Sequence, residues 1–478
     1  MRYSALLTDL YELTMLAGYH EQGMTERKAV FDLFFRTHPF NGSYAVFAGL
    51  EPVLAFLEQL HFLPEELDYL ASLNQFKPQF LDYLRQFRFH GTVTAPPEGT
   101  VVFAGEPLLT IEGSLAEAQF VETAVLNIIN FQTLIATKAA RITHAAAGAE
   151  VIEFGLRRAH GPDGGLSCAR AACVGGICST SNVQAGMRYA LPVRGTHAHS
   201  WVQAFPDELS AFRAYAETFP DNTILLVDTY DTLKSGIPNA IIVARELRER
   251  GYELRGIRLD SGDLVLLSRE SRRMLDAAGF TQVRIVASND LDEYQINAMK
   301  AAGGQVDIYG IGTQLATAGG SGGGALGGVY KLVELEGLPK LKLTSDLAKA
   351  TLPGRKRVLR SFAPDGRMLQ DLICMEQEQQ PVAGTAVYNL CNPLSPTPLP
   401  LNTTLHDLRQ VVMRDGCQTV APEPLSVMAE RSHQQLSVLP QGCLRIHSPE
   451  RYTVSISEPL YELNNRLTAK VTGERPLP

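Results

Sequence analysis

The chain has 478 residues, enough for one to three domains and a sizeable core. Hydrophobic residues make up 45% and charged residues 20%, the ordinary balance of a soluble globular protein. The net charge is −8 and no basic block stands out, which excludes a nucleic-acid footprint but leaves room for local cationic sites that take small anions.

The start, MRYSALLTDLYELTM, lacks a basic region followed by a continuous apolar run, so it does not read as a signal peptide. Thr8 or Asp9 can cap a first helix carrying Leu10, Leu13, Leu16 and Ala17. Residues 28–40 are strand-like as far as Pro39. Residues 49–88 return to helical spacing through Leu50, Val53, Leu54 and Leu57. Residues 89–113 mix turn signals with short apolar runs and predict a small β-unit. A helix over about 115–147 follows, with Val121, Val125, Ile128 and Ile129 on its apolar face. No apolar stretch reaches membrane-spanning length.

From residue 150 the texture changes. Short apolar strands at 151–155, 223–228, 255–260, 283–288 and 306–312 alternate with helical stretches such as 238–251 and 264–279. Such repeated units predict a parallel sheet, closed into a barrel or left open. Polar residues recur after the strand ends: Arg157 and Arg158, Asp228, Asp260, Asn289 and Asp290, Thr313. In a β/α barrel these ends meet at one face. GIGT, which includes Gly312 and Thr313, can cradle phosphate with backbone N–H groups. The glycine-rich run 319–328 after it reads as a mobile linker. Segment 342–360 is basic and could meet phosphates, although a solvated face is the commoner use. Residues 376–478 carry no catalytic motif.

The densest cluster is GIRLDSGDL, residues 256–264, which sets Arg258, Asp260 and Asp263 around a Ser261-Gly262 turn. Unpaired charge at a buried strand end is costly in a core and useful in a site. Asp263 can instead cap the helix beginning at Leu264. GTHAHSWV sets His197 and His199 on one side of an extended segment, where a histidine serves as acid, base or nucleophile. A metal reading of that pair needs a third ligand. EFGLRRAHGPDGG supplies an arginine pair suited to carboxylate or phosphate. Asp228 and Asp231 suit Mg²⁺ near a phosphate, directly or through water, with helix capping the plainer use of Asp231. Asn289 and Asp290 suit sugar hydroxyls. The seven cysteines match no common zinc spacing and read as free thiols. Together these residues describe an anion site at one barrel mouth, fitted to phosphorylated-sugar chemistry.

LTDLYELTM, EFGLRRAHGPDGG, TSN, GTHAHSW, LVDTYDT, GIRLDSGD, SNDLDE and GIGT stand in this order along the chain. Together they resemble the nicotinate phosphoribosyltransferase family, from about Leu6 to beyond Arg357 and more weakly over the last hundred residues. The resemblance implies an α/β fold: an incomplete, distorted parallel α/β barrel with an N-terminal α/β domain that the C-terminal region helps complete. It divides the chain into an N-terminal domain over 1–120, a barrel over 121–335 and a returning C-terminal region over 336–478. The implied reaction takes nicotinate and 5-phosphoribosyl 1-diphosphate to nicotinate mononucleotide and diphosphate, coupled to ATP hydrolysis through a phosphohistidine. A nicotinamide or quinolinate phosphoribosyltransferase, or a phosphosugar-binding barrel without transfer activity, is the alternative.

Carried over residue by residue, the resemblance implies that Tyr11 stacks on the pyridine ring, reaching it from the partner chain of a homodimer, with Phe154 beside it. Arg258 then pairs with the nicotinate carboxylate and Thr196 touches the same ligand. His199 is the phosphorylated residue, and Arg157 meets phosphate. Asp228 and Asp260 serve Mg²⁺ and the ribosyl centre. Asn289, Asp290, Gly312 and Thr313 hold the ribose and its 5-phosphate. A cytoplasmic enzyme without nucleic-acid or membrane partners is expected. His197 stands where an apolar residue is expected, and a second imidazole there can compete with His199 for phosphate.

Overall fold

The computed structural model describes residues 3–343 and 351–472, in two compact units. One unit joins residues 1–137 to 325–478, and the other spans 138–324.

The first unit is organised around the strand Lys28–Phe35, whose apolar run is buried from Ala29 onward. It sits inside a seven-stranded antiparallel sheet. On one side lies Gly328–Leu335; on the other come Leu109–Ser114, Thr92–Ala95 and Gln410–Arg414. Strands from late in the chain therefore complete the N-terminal sheet, as the resemblance implies. The helical stretch 49–88 is three helices, Leu50–Glu58, Pro64–Ser72 and Pro78–Gln86. Two of them begin on a proline, whose fixed φ and missing N–H suit a first helical position and no interior one.

A second, six-stranded sheet of this unit contains Lys356–Phe362 and Met368–Met375. It changes the role of the basic segment. Lys356 is buried and pairs with Asp32 at 2.9 Å, and Arg360 is buried and pairs with Asp371 at 2.6 Å. Arg355 reaches Glu112 at 2.5 Å and Glu334 at 2.9 Å. Lys356 and Arg360 are neither a solvated face nor a phosphate site, because a strand in mid-sheet carries them into the interior, where a charge needs a partner. Residues 344–350 of that segment lie outside the described residues.

The second unit holds the parallel strands: β1 (Glu150–Glu153), β2 (Ile224–Leu226), β3 (Gly256–Leu259), β4 (Arg284–Ala287) and β5 (Ile308–Ile311). Their order is β1-β5-β4-β3-β2, parallel throughout. Beyond β1, Glu153 bridges to Thr180 and Thr180 to Val193, so two further chain segments extend the sheet. Among the described residues no ladder joins Val193 to β2, and the barrel stays open there. Ile152, Val286 and Ile308 form a core cluster against which Phe154 and Ile224 pack.

Helix starts follow the carboxylates. Asp263 accepts from the amides of Val265 (3.1 Å) and Leu266 (3.0 Å), and Asp231 from those of Leu233 (3.2 Å) and Lys234 (2.9 Å). Both aspartates are caps. Glu293, at the start of helix Glu293–Ala301, is fully buried between Lys138 (2.6 Å) and Arg141 (2.9 Å), which fixes the loop before it. The expectation of free thiols fails at one pair. The chain doubles back through Gly175-Gly176 after helix Gly161–Val174, and Cys173 and Cys178 form a disulfide, while the other five cysteines are free. Among the described residues no helix is long and apolar enough to cross a membrane.

Candidate active site

Parallel strands put all their carboxyl ends on one edge, and that edge of the second unit collects the charge. Arg258, in β3, is at its centre. Its Nε donates to Ser288 Oγ at 2.9 Å, one terminal nitrogen to Thr196 Oγ1 at 3.1 Å and the other to Asp260 Oδ1 at 2.8 Å. A guanidinium has five N–H donors, so one remains on each terminal nitrogen. Its central carbon stands 5.6 Å from the Phe154 ring centroid. Phe154 in turn lies over Gly310, where an added Cβ would come within 2.6 Å of the ring. Only a glycine there leaves room for the ring.

Ser288 also donates to Asp260. Burial pushes the Asp260 carboxyl up, but the Ser288 hydroxyl and the neighbouring Arg258 and His199 outweigh it and hold the group below the usual carboxylate range. Asp228 follows β2 and is buried. Its Oδ2 accepts from the Asp260 amide and from Ser261 Oγ, each at 2.7 Å. Its Oδ1 is buried and accepts no hydrogen bond. His199 opens the short helix His199–Gln203, and its Nδ1 lies 3.1 Å from Thr229 Oγ1. That leaves Nε2 at 3.9 Å from Asp228 Oδ1 and 3.9 Å from Asp260 Oδ2.

Among the described residues no group of three or more His, Cys, Asp or Glu side chains is placed to cage a metal. Two carboxylates suffice for Mg²⁺, which keeps several waters and takes the rest of its shell from substrate phosphates. The orphaned Oδ1 of Asp228, opposite Asp260, fits that use.

The structure therefore brings Phe154, Thr196, His199, Asp228, Arg258 and Asp260 together. Asn289 and Asp290 follow β4 in left-handed backbone, φ 99° and 44°, exposed beside Gln314, whose Nε2 donates to Asp290 Oδ2 at 3.2 Å. Gly312 and Thr313 begin the short helix Thr313–Ala316 after β5. Arg157 is exposed on the turn Leu156–Arg158 after β1. Tyr11 belongs to the first unit and is 45% exposed on helix Leu10–Glu21.

Three family models match the chain: the nicotinate phosphoribosyltransferase (NAPRTase) N-terminal domain over residues 6–130, the NAPRTase family over 149–363 and the C-terminal domain over 355–464. A nicotinate phosphoribosyltransferase of Bacillus subtilis (strain 168) is 44% identical over 461 residues, covering 95% of this chain and 93% of its own length. The chain belongs to the nicotinate phosphoribosyltransferase family. The crystal structure of the human nicotinic acid phosphoribosyltransferase superposes with a TM-score of 0.86 at 34% identity, covering 96% of this chain and 99% of that one. A nicotinate-nucleotide pyrophosphorylase from Pyrococcus furiosus, at 24% identity and a TM-score of 0.71, shares the fold.

The family match reaches into residues 376–478, where the sequence shows no motif. Sequence reasoning also missed Ser288 and Thr229, the hydroxyls that orient Arg258, Asp260 and His199. The only signal for either is its position at a strand end. His197 Nε2 is engaged by the backbone of β2, where Leu226 N–H donates to it at 3.2 Å.

Proposed function

We propose that this chain transfers the phosphoribosyl group of 5-phosphoribosyl 1-diphosphate to the ring nitrogen of nicotinate, and that ATP hydrolysis drives the transfer through a phosphorylated His199. The observation that carries this is the cluster of Arg258, Asp260, Asp228 and His199 at one sheet edge, with spare donors on the arginine and a spare nitrogen on the histidine.

Arg258 takes the nicotinate carboxylate on its two remaining N–H groups, and Thr196, already on that guanidinium, lines the same place. Phe154 offers one face for the pyridine ring, and Tyr11 of a partner chain in a homodimer offers the other. The pyridine lone pair attacks the anomeric carbon, and the bond from that carbon to the diphosphate oxygen breaks. Positive charge develops on the ribose as diphosphate leaves, and Asp260, held ionised, stabilises it. Asn289 and Asp290 take ribose hydroxyls, and Gly312, Thr313 and Arg157 take phosphate oxygens. Asp228 and Asp260 would hold Mg²⁺, which neutralises diphosphate charge when bound.

Thr229 fixes Nδ1 of His199 and leaves Nε2 as the nucleophile toward the γ-phosphate of ATP, with ADP leaving. Two carboxylates at 3.9 Å would repel that phosphate on their own, which is a further reason to place a divalent cation there. Hydrolysis of the phosphohistidine completes the cycle. A cytoplasmic setting, where these phosphorylated substrates occur, goes with this function.

The test is turnover with and without ATP. In wild type, ATP raises the rate and labelled γ-phosphate appears on a histidine. His199→Ala is expected to keep basal transfer and lose both effects. An ATP stimulation that survives in this variant refutes the phosphohistidine.

A further inference from the structure

The barrel is open between the segment that follows Val193 and strand β2, and the His197 side chain reaches across the gap. Val227 N–H donates to Arg258 O at 3.1 Å, across to β3. Neighbouring amides of a strand point to opposite edges, so the Leu226 N–H faces the gap. Leu226 is 1% exposed, and without a partner its amide would be a buried, unpaired donor. The partner is His197 Nε2, at 3.2 Å.

The imidazole is built into that position. Its Nδ1 lies 3.3 Å from Ala198 O, which sets the proton on Nδ1 and the lone pair on Nε2. Tyr215 packs edge-on at 4.7 Å between centroids, with Phe212 at 6.2 Å. The titratable groups around it are Tyr215 from helix Glu208–Thr218, Arg258 from β3 and His199 on its own segment. Burial, with Arg258 and His199 beside it, pulls the imidazole down to about 4, so it stays a neutral acceptor at neutral pH.

The neighbours of His197 give this contact its consequence. Thr196, one residue earlier, accepts from Arg258. His199, two residues later, is fixed to Thr229, three residues beyond Leu226. Two side-chain bonds, His197 to Leu226 and His199 to Thr229, thus hold residues 196–199 alongside 226–229.

We propose that His197 is a positioning residue for the transfer: its imidazole replaces the missing ladder bond and sets Thr196 on Arg258 and His199 between the two carboxylates. The proposal deepens, and rests on, the assignment of Arg258 to nicotinate and His199 to ATP. It removes His197 as a competitor for phosphate, because the nitrogen that would accept a phosphoryl group is engaged.

The test compares His197→Leu, which removes the acceptor, with His197→Gln, whose amide oxygen can reach the Nε2 position. The expected result for His197→Leu is a rise of about tenfold in KM for nicotinate and a loss of ATP stimulation, with KM for phosphoribosyl diphosphate little changed. His197→Gln restores both. A uniform loss of active protein, with both KM values and the ATP ratio as in wild type, overturns the proposal, and so does a His197→Gln that behaves like His197→Leu. Arg258→Gln and His199→Ala run in the same assays keep the two questions apart: if these leave nicotinate KM and ATP stimulation unchanged, the site assignment fails. Nitrogen-15 NMR of histidine-labelled wild type needs no folded leucine variant. It is expected to show His197 as the Nδ1–H tautomer from pH 7 to pH 5, and a His197 that titrates near 6.5 overturns the proposal.

Discussion

Removing the guanidinium of Arg258 separates the two substrates of this enzyme. The group makes three bonds within the protein and has two N–H donors left. A hydrogen bond to a charged partner contributes roughly 1.5–3 kcal/mol, so a carboxylate taken by both donors stands to lose about 3 kcal/mol or more in Arg258→Gln. At about 1.4 kcal/mol per factor of ten, kcat/KM for nicotinate falls on the order of a hundredfold. Asp260 loses its partner in the same variant, which weakens both substrates together. The informative quantity is therefore the ratio. Initial rates are measured with nicotinate and phosphoribosyl diphosphate each varied at saturation of the other. The nicotinate KM is expected to rise at least ten times more than that of phosphoribosyl diphosphate. Equal rises would refute the carboxylate clamp and leave Arg258 as a partner of Asp260 only.

Two further outcomes follow from the geometry. In Gly310→Ala the new Cβ meets the Phe154 ring at 2.6 Å, so the ring must move; overpacking of this kind costs about 1–3 kcal/mol, and a nicotinate KM unchanged from wild type would show that the ring face is not used. Stability should fall on acidification through His197. The unfolded imidazole takes its proton near its ordinary value of 6.5 and the folded one only near 4, so this contribution is complete above pH 6.5 and is lost as pH drops toward 4. At pH 5 the loss is about 2 kcal/mol. Urea unfolding at pH 7 and pH 5 reads it as the difference between wild type and His197→Gln, since His38, also held neutral by burial, is present in both. Identical pH dependence in the two proteins would contradict the neutral, buried imidazole.

Much of the site is visible in the sequence, because a charged residue that ends an apolar strand has few structural uses. Arg258, Asp260 and Asp228 stand out for that reason, and Asp231 and Asp263 for the opposite one, as caps directly ahead of helical spacing. What is hidden is whatever depends on a single long-range contact. Thr180 and Val193 extend the sheet by one-residue bridges, too short for any apolar run to announce. Ser288 and Thr229 are small hydroxyls whose partners are 30 residues away in sequence. His197 reads as a second active-site histidine because spacing puts it beside His199. Only the open seam in the barrel shows that its ring serves the backbone of β2. The C-terminal strands escape notice because Lys356 and Arg360 look like surface charge until Asp32 and Asp371 are brought to them.

The measurement that bears most directly on the central claim is competition between bases. The enzyme is given phosphoribosyl diphosphate, Mg²⁺, ATP and equimolar nicotinate, nicotinamide and quinolinate, and the nucleotides formed are separated and counted against diphosphate released. Nicotinate mononucleotide should dominate, one molecule per diphosphate. A product mixture led by another base, or diphosphate released without any mononucleotide, would contradict the account.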